Sequence, residues 1–372
     1  MRNVKGCLLR RTTVGLLSLA AVALTARATA TATATAPVAE ESRIPFTTRY
    51  EAVLHGGVVR AANASITCGD ATRAKATGTK IGCSGARAGA AAVNGQFDMA
   101  YTDVDRDPNT YNSSRAEVRV PDGARVTYAR LYWGGNLSVG EQKPPRDNGR
   151  VLVAEPGGQY KEVLADRAIG HRVAGGADAF QASADVTDLV RSAGSGLWTV
   201  AQVNIAKGRS DAGAWGGWTL VAAYEKKSAP LRHVFVRDGF DLFDKKHPVQ
   251  DFRVRTAPAT GTGGYLGLVA YNGDRGRTGD ALTVSAGRGK PVALTDRANP
   301  AQDVLNSTIS EPGRHPARRV PAHGNTLGYD SDVLPLGRAV PRGAKALDVR
   351  LVSRQDAAWT GVFFGALDVA RS

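Results

Sequence analysis

Three aspartates on alternate residues, Asp103, Asp105 and Asp107, followed by Pro108 and Asn109, are the first side chains in this sequence whose types and spacing suit chemistry. Carboxylates spaced this way in an irregular loop can converge on one cation, and calcium takes about six to eight oxygens from carboxylates, carbonyls and water. Asp103, Asp105, Asp107 and Asn109 are therefore candidate calcium ligands. The loop is no EF-hand, because Pro108 stands where that loop needs glycine and Ser114 where it needs a bidentate glutamate. A second reading stays open: Asp and Asn side chains also cap turns by accepting from nearby backbone amides.

Acid–base chemistry has its own candidates. "DGFDLFD" offers Asp238 and Asp241, "YNGDRGRTGD" offers Asp274 and Asp280, and "LGYDSD" offers Asp330 and Asp332. A glycosidase needs two such groups about 5 to 10 Å apart across the scissile bond. A carbohydrate-active hydrolase using two of Asp238, Asp241, Asp274 and Asp280 is thus the alternative function, with turn residues as the competing reading. Nucleophile motifs fail: "GRSDAG" has Ala212 where a Gly-x-Ser-x-Gly elbow needs glycine. No His-Glu-x-x-His occurs for zinc, and neither "GTGGYLG" nor "GRGKP" meets the spacing of a phosphate loop.

Tryptophans beside paired glycines are the remaining candidates. Trp133 in "LYWGGN" and Trp218 in "AWGGWT" lie inside apparent strands and read as core. Trp215 reads as a candidate ligand-binding residue that stacks on a sugar ring. Cys68 and Cys83 are expected to form a disulfide, since an isolated pair in an oxidising compartment reads most simply that way.

These residues must be positioned by strands. Glycine (43) and proline (17) are spread along the chain, as many short strands joined by tight turns require. Runs such as "AEVRVP", "GWTLVAAYE", "LRHVFVRDGF", "GYLGLVAYN" and "GVFFGALDVA" recur, several alternating apolar with polar residues, so each sheet should bury one face. Only "ADVTDLVRSAG" reads as a helix, with Asp185 to cap it and Gly194 to stop it. The expected fold is all-β: one or two packed β-sandwich, jelly-roll-like domains with a single short helix. The expected division is a leader and small-residue linker over 1–34, a disulfide-bearing segment over 35–95, and β-sandwiches over 96–228 and 229–372. "VPDGARVTYARLY" from Val120 matches "VPRGAKALDVRLV" from Val340, which suggests duplicated halves, although a turn followed by a strand can converge on such a match.

The leader has the zones of an export signal: Arg2, Lys5, Arg10 and Arg11, then the apolar "VGLLSLAAVAL", then small residues. Its five basic residues, Arg27 included, account for part of the formal +14, and removing them leaves +9. Beyond it nothing approaches the roughly 20 apolar residues of a membrane span. Ending in "GALDVARS", the chain is expected to be freely secreted or held non-covalently at the wall. A basic balance there suits anionic wall polymers. Nucleic-acid binding is not expected, because basic residues such as those in "GRHPARRVPAH" are not interleaved with aromatics.

"TDVDRDPNTYNSSRAEVRVPDGARVTYARLYWGG", "AGAWGGWTLVAAYE", "LGLVAYNGDRGRTGDAL", "LNSTIS" and "NTLGYDSDV" together resemble an uncharacterised family of N-terminal domains of secreted bacterial surface proteins, found in actinobacteria and elsewhere. The resemblance covers most of the chain from about Asp98. It implies location and architecture, and it carries no catalytic residues. "DVTDLVRSAGSGLWTVAQV" is also similar to the helix and following strand of galactose-binding-like jelly rolls. The functional expectation is a non-catalytic secreted or wall-associated binding or structural protein, with a glycan or anionic wall polymer as partner and calcium as a structural ion.

Overall fold

A computed structural model of the chain describes residues 44–69, 81–105, 107–313 and 316–371. The predicted leader lies outside the described residues. Besides a two-stranded sheet of Ile66–Cys68 and Met99–Tyr101, nine strands build the first half: β1 (Ile44–Ala64), β2 (Ser113–Val118), β3 (Arg125–Asn136), β4 (Arg150–Ala154), β5 (Lys161–Leu164), β6 (Arg167–Ala174), β7 (Ala177–Asp185), β8 (Gly196–Ala201) and β9 (Gly216–Glu225). Nine more build the second: β10 (Leu231–Leu242), β11 (Val249–Arg255), β12 (Ala259–Tyr271), β13 (Ala281–Ser285), β14 (Val292–Ala293), β15 (Ile309–Ser310), β16 (Tyr329–Pro335), β17 (Ala346–Val352) and β18 (Trp359–Val369).

The strand order repeats. In the first half one sheet runs β1-β9-β3-β7-β6 and the other β2-β8-β4-β5, with the short strand Arg319–Val320 added on β2; in the second the sheets run β10-β18-β12-β16-β15 and β11-β17-β13-β14. Each half is a jelly roll with one added edge strand, and each strand of the first half has its counterpart nine strands later. The sequence match that suggested duplication does not align these counterparts. It pairs β3 with β17, whereas the topological partner of β3 is β12. That match is therefore turn-and-strand convergence, while the repeat of architecture lies in the strand order.

The segment expected to stand apart as an N-terminal piece instead joins the halves. Ile44 to His55 of β1 pair with β10, and Gly56 to Ala64 pair with β9, so two five-stranded sheets become one of ten. The changeover falls at Gly56-Gly57. A Cβ on Gly56 would lie 1.9 Å from the Tyr224 carbonyl oxygen, and one on Gly57 would lie 2.7 Å from the Tyr265 hydroxyl. At Gly56 only glycine fits such an approach of backbone to backbone.

Three apolar cores follow from this layering. One lies between the two sheets of the first jelly roll, around Trp133, Trp198 and Trp218, and a second between the sheets of the other, around Leu268, Leu351 and Phe363. The third lies between the two halves of the ten-stranded sheet, where Tyr132, Trp215, Phe240, Tyr271 and Trp359 meet. The helix predicted over 185–194 spans α2 (Thr187–Ala193), with Asp185 Oδ1 accepting from the Thr187 N–H at 2.9 Å and Gly194 leaving it at φ +70°. A shorter helix, α1 (Cys83–Arg87), was not anticipated. It starts at the Cys68–Cys83 disulfide, which closes as expected.

Candidate functional site

In the loop from Asp103 to Asn109 the carboxylates serve the turn. Asp103 Oδ1 accepts from Ser113 Oγ (2.7 Å), and Asp105 Oδ1 from the Asp107 N–H (2.9 Å) and Thr110 Oγ1 (3.2 Å). Asp107 Oδ1 accepts from the backbone and side-chain N–H groups of Asn109, at 2.9 and 2.8 Å. Tyr160 donates to Asp105 Oδ2. Against partial burial, these bonds hold the Asp105 carboxyl below its ordinary range. Among the described residues no three His, Cys, Asp or Glu side chains are arranged to hold a metal ion.

The four aspartates of the hydrolase reading fall into two places. Asp238 and Asp241 lie in β10, in the wall between the jelly rolls. Asp238 is fully buried, with Arg49 Nε 2.6 Å from both its oxygens and Tyr132 Oη donating to Oδ2 at 3.1 Å. It is a structural ion pair between β1 and β10. Asp241 stands opposite Thr360 of β18.

Asp274 and Asp280 share the loop after β12, where two acids that sequence reasoning missed join them. Asp303 comes from the segment before β15, and Asp356 from the turn between β17 and β18. Asp356 Oδ2 accepts from the Asp274 N–H (3.2 Å), Asp280 Oδ2 from the Leu305 N–H (2.6 Å), and Asp303 Oδ2 from the Gly276 N–H (3.0 Å). Burial, reinforced by neighbouring carboxylates, pushes Asp274 up to about 6, Asp280 to about 7 and Asp356 to about 8. Burial and its neighbour Asp332 likewise raise Asp330 well above the carboxylate range. Lone acids in "NPAQDVLN" and "SRQDAAW" gave no signal of this meeting, which the jelly-roll connections alone produce.

Trp215 is a correction. It is 0 % exposed, and its ring centroid lies 5.8 Å from that of Tyr271 in the third core. Glycines let neighbouring backbone pack close to it: a Cβ on Gly135 would lie 2.8 Å from the Trp215 carbonyl oxygen, and one on Gly328 would lie 2.6 Å from the Trp215 Cβ. All five tryptophans are fully buried, so no stacking face is built from them.

A pocket of about 390 Å³ opens at the edge of the second jelly roll instead, lined by Thr48, Glu51, Phe235, Arg237, Arg253, Val254 and Arg255. Alternation along β11 turns Arg253 and Arg255 outward while Val254 is buried. Arg237 of β10 lies over the Phe252 ring, 5.4 Å from its centroid, and donates from Nη1 to the Arg253 carbonyl oxygen at 2.7 Å. Its buried Nε has no hydrogen-bond partner. Opposing charge comes from Asp348, 3.3 Å from Arg253, and from Glu51, which is bonded to His233 at 2.8 Å. Three guanidiniums around one opening suit carboxylate or phosphate oxygens, which their planar forks bind in pairs.

Strand order and layering thus define a protein of two tandem jelly rolls sharing one inner sheet. The chain belongs to the family described as protein of unknown function DUF3344, which matches residues 87–273. No curated protein matches it. Among solved structures it is similar to the major capsid protein P2 of bacteriophage PM2, at 13% identity over 71% of this chain and 96% of that one, with a TM-score of 0.20. The Sulfolobus Turreted Icosahedral Virus structure is similar at 9% identity over 68% and 85%, with a TM-score of 0.21. Superpositions this loose carry no argument about function.

Proposed function

We propose that the protein is a non-catalytic, exported binding module that takes an anionic wall polymer or acidic glycan at the pocket of Arg237, Arg253 and Arg255. The observation that carries this reading is the convergence of three arginines from β10 and β11 on one opening, in a basic chain. The hydrolase alternative rests on the raised carboxyls of Asp274 and Asp280. It is disfavoured because Asp280 is 1 % exposed, so a sugar ring in solution has no access to that member of the pair.

The test compares binding of a poly(glycerol phosphate) with binding of a neutral polysaccharide of similar length, using the wild type, Arg237→Ala and Arg255→Ala. A charge-assisted hydrogen bond contributes about 1.5 to 3 kcal/mol, so each variant should bind the phosphate polymer about tenfold more weakly or worse. Equal binding of the neutral polymer, or variants that bind like wild type, would refute the assignment.

A further inference from the structure

The buried carboxylates at the end of the second jelly roll are short of positive charge. Asp274, Asp280, Asp303 and Asp356 feel one another's charge, and the cations set among them are Arg275 and Arg277. Arg275 is occupied by carbonyls, donating from Nη1 to Gly89 O (2.7 Å) and from Nε to Asn306 O (3.3 Å). Arg277 reaches in from solvent, its side chain 51% exposed, with Nε 3.3 Å from Asp274 Oδ2 and 3.9 Å from Asp356 Oδ1.

A second observation is independent of that charge count. The Asp356 side chain is 0% exposed, yet its Oδ1 has no hydrogen-bond partner. Asp274 Oδ1, Asp303 Oδ1 and Asp330 Oδ2 are likewise buried without one. Buried polar atoms in folded proteins are satisfied with few exceptions. Three orphaned carboxylate oxygens in one set of loops, with a fourth on the adjoining strand β16, call for a partner from outside the chain.

We propose that these loops take up a hard divalent cation, calcium, between Asp274 and Asp356, where the Arg277 guanidinium now stands. No three metal-ligating side chains surround one point among the described residues, so the ion enters by exchange. Arg277 swings to solvent, the two carboxylates close on the ion, and carbonyls and water complete a shell that calcium accepts. Asp280 and Asp303 supply negative charge behind them. This site is distinct from the loop of Asp103 to Asn109.

Thermal unfolding in EDTA and in millimolar calcium, at pH 7.5, tests the proposal. A site filled to about a hundred times its dissociation constant should raise Tm by about 4 °C in a chain of this size. Arg277→Gln should enlarge the shift, Asp356→Asn should abolish it, and Asp105→Ala should leave it intact. Should Asp356→Asn not fold, calorimetric titration of Arg277→Gln with calcium should show one ion per chain. The proposal is overturned if neither wild type nor Arg277→Gln responds, if the shift survives Asp356→Asn, or if it disappears in Asp105→Ala.

Discussion

The Tyr265 hydroxyl accepts from the Val58 N–H at 2.6 Å and donates to the Val58 carbonyl oxygen at 2.7 Å, across 207 residues of sequence. This one side chain of β12 satisfies both backbone groups of β1 just past the bend at Gly56-Gly57, where pairing switches from β10 to β9. Removing the hydroxyl orphans a buried donor and an acceptor together. Tyr265→Phe should therefore cost about 2 to 4 kcal/mol, from about 1 to 3 for each unsatisfied group less partial relaxation. Urea unfolding would measure it, and a loss below about 0.5 kcal/mol would mean that the bend holds without this clasp.

The Arg49–Asp238 pair ties the other end of β1 to β10. With Asp238 at 0% side-chain exposure, Arg49→Met would strand a buried carboxylate, and breaking such a pair typically costs about 3 to 5 kcal/mol. Adding Asp238→Asn to Arg49→Met should recover part of that loss, because the amide carries no charge to desolvate. Denaturant midpoints of the single and double variants would show this, and a double variant less stable than Arg49→Met would speak against it.

The carboxylate cluster predicts an unusual pH profile. Unfolded aspartates titrate near 3.9, whereas Asp274, Asp280 and Asp356 titrate near 6, 7 and 8 in the fold, raised first by burial. The folded state thus keeps protons that the unfolded chain has released, and stability rises wherever the folded state binds more protons as pH falls. The contribution is complete below about pH 4 and is lost as pH climbs through 6 to 8. In EDTA, Tm should fall between pH 5 and pH 8.5, and Asp356→Asn should flatten the slope. A wild-type Tm that rises across that interval would contradict the assignment.

Much of the architecture was legible because strand burial follows alternation. In β2, read from "AEVRVP", Ala116 and Val118 are buried with half-buried Glu117 between them, and the helix at Thr187 announced itself through Asp185 and Gly194. β1 was not legible, since Gly56-Gly57 interrupts its pattern exactly where its partner changes. The glycines beside Trp215 were misread for a related reason: Gly216 and Gly217 mark close approach to the backbones of β3 and β1, not an exposed ring. At the carboxylate cluster, Asp274 and Asp280 stood out as acids in a glycine-rich turn. Asp303 and Asp356 did not, because only the return of the chain through β13 to β18 brings them there. The arginine pocket escaped for the same reason, being shared between strands β10 and β11 and the start of β1.

The central claim is that an anionic polymer binds at the arginines of β10 and β11, and a crystal structure with a short glycerol-phosphate oligomer tests it most directly. Phosphate oxygens should lie about 2.7 to 2.9 Å from guanidinium nitrogens of Arg237 and Arg255, the spacing of charge-assisted hydrogen bonds. An oligomer ordered elsewhere on the surface, with the pocket holding only solvent, would contradict the account.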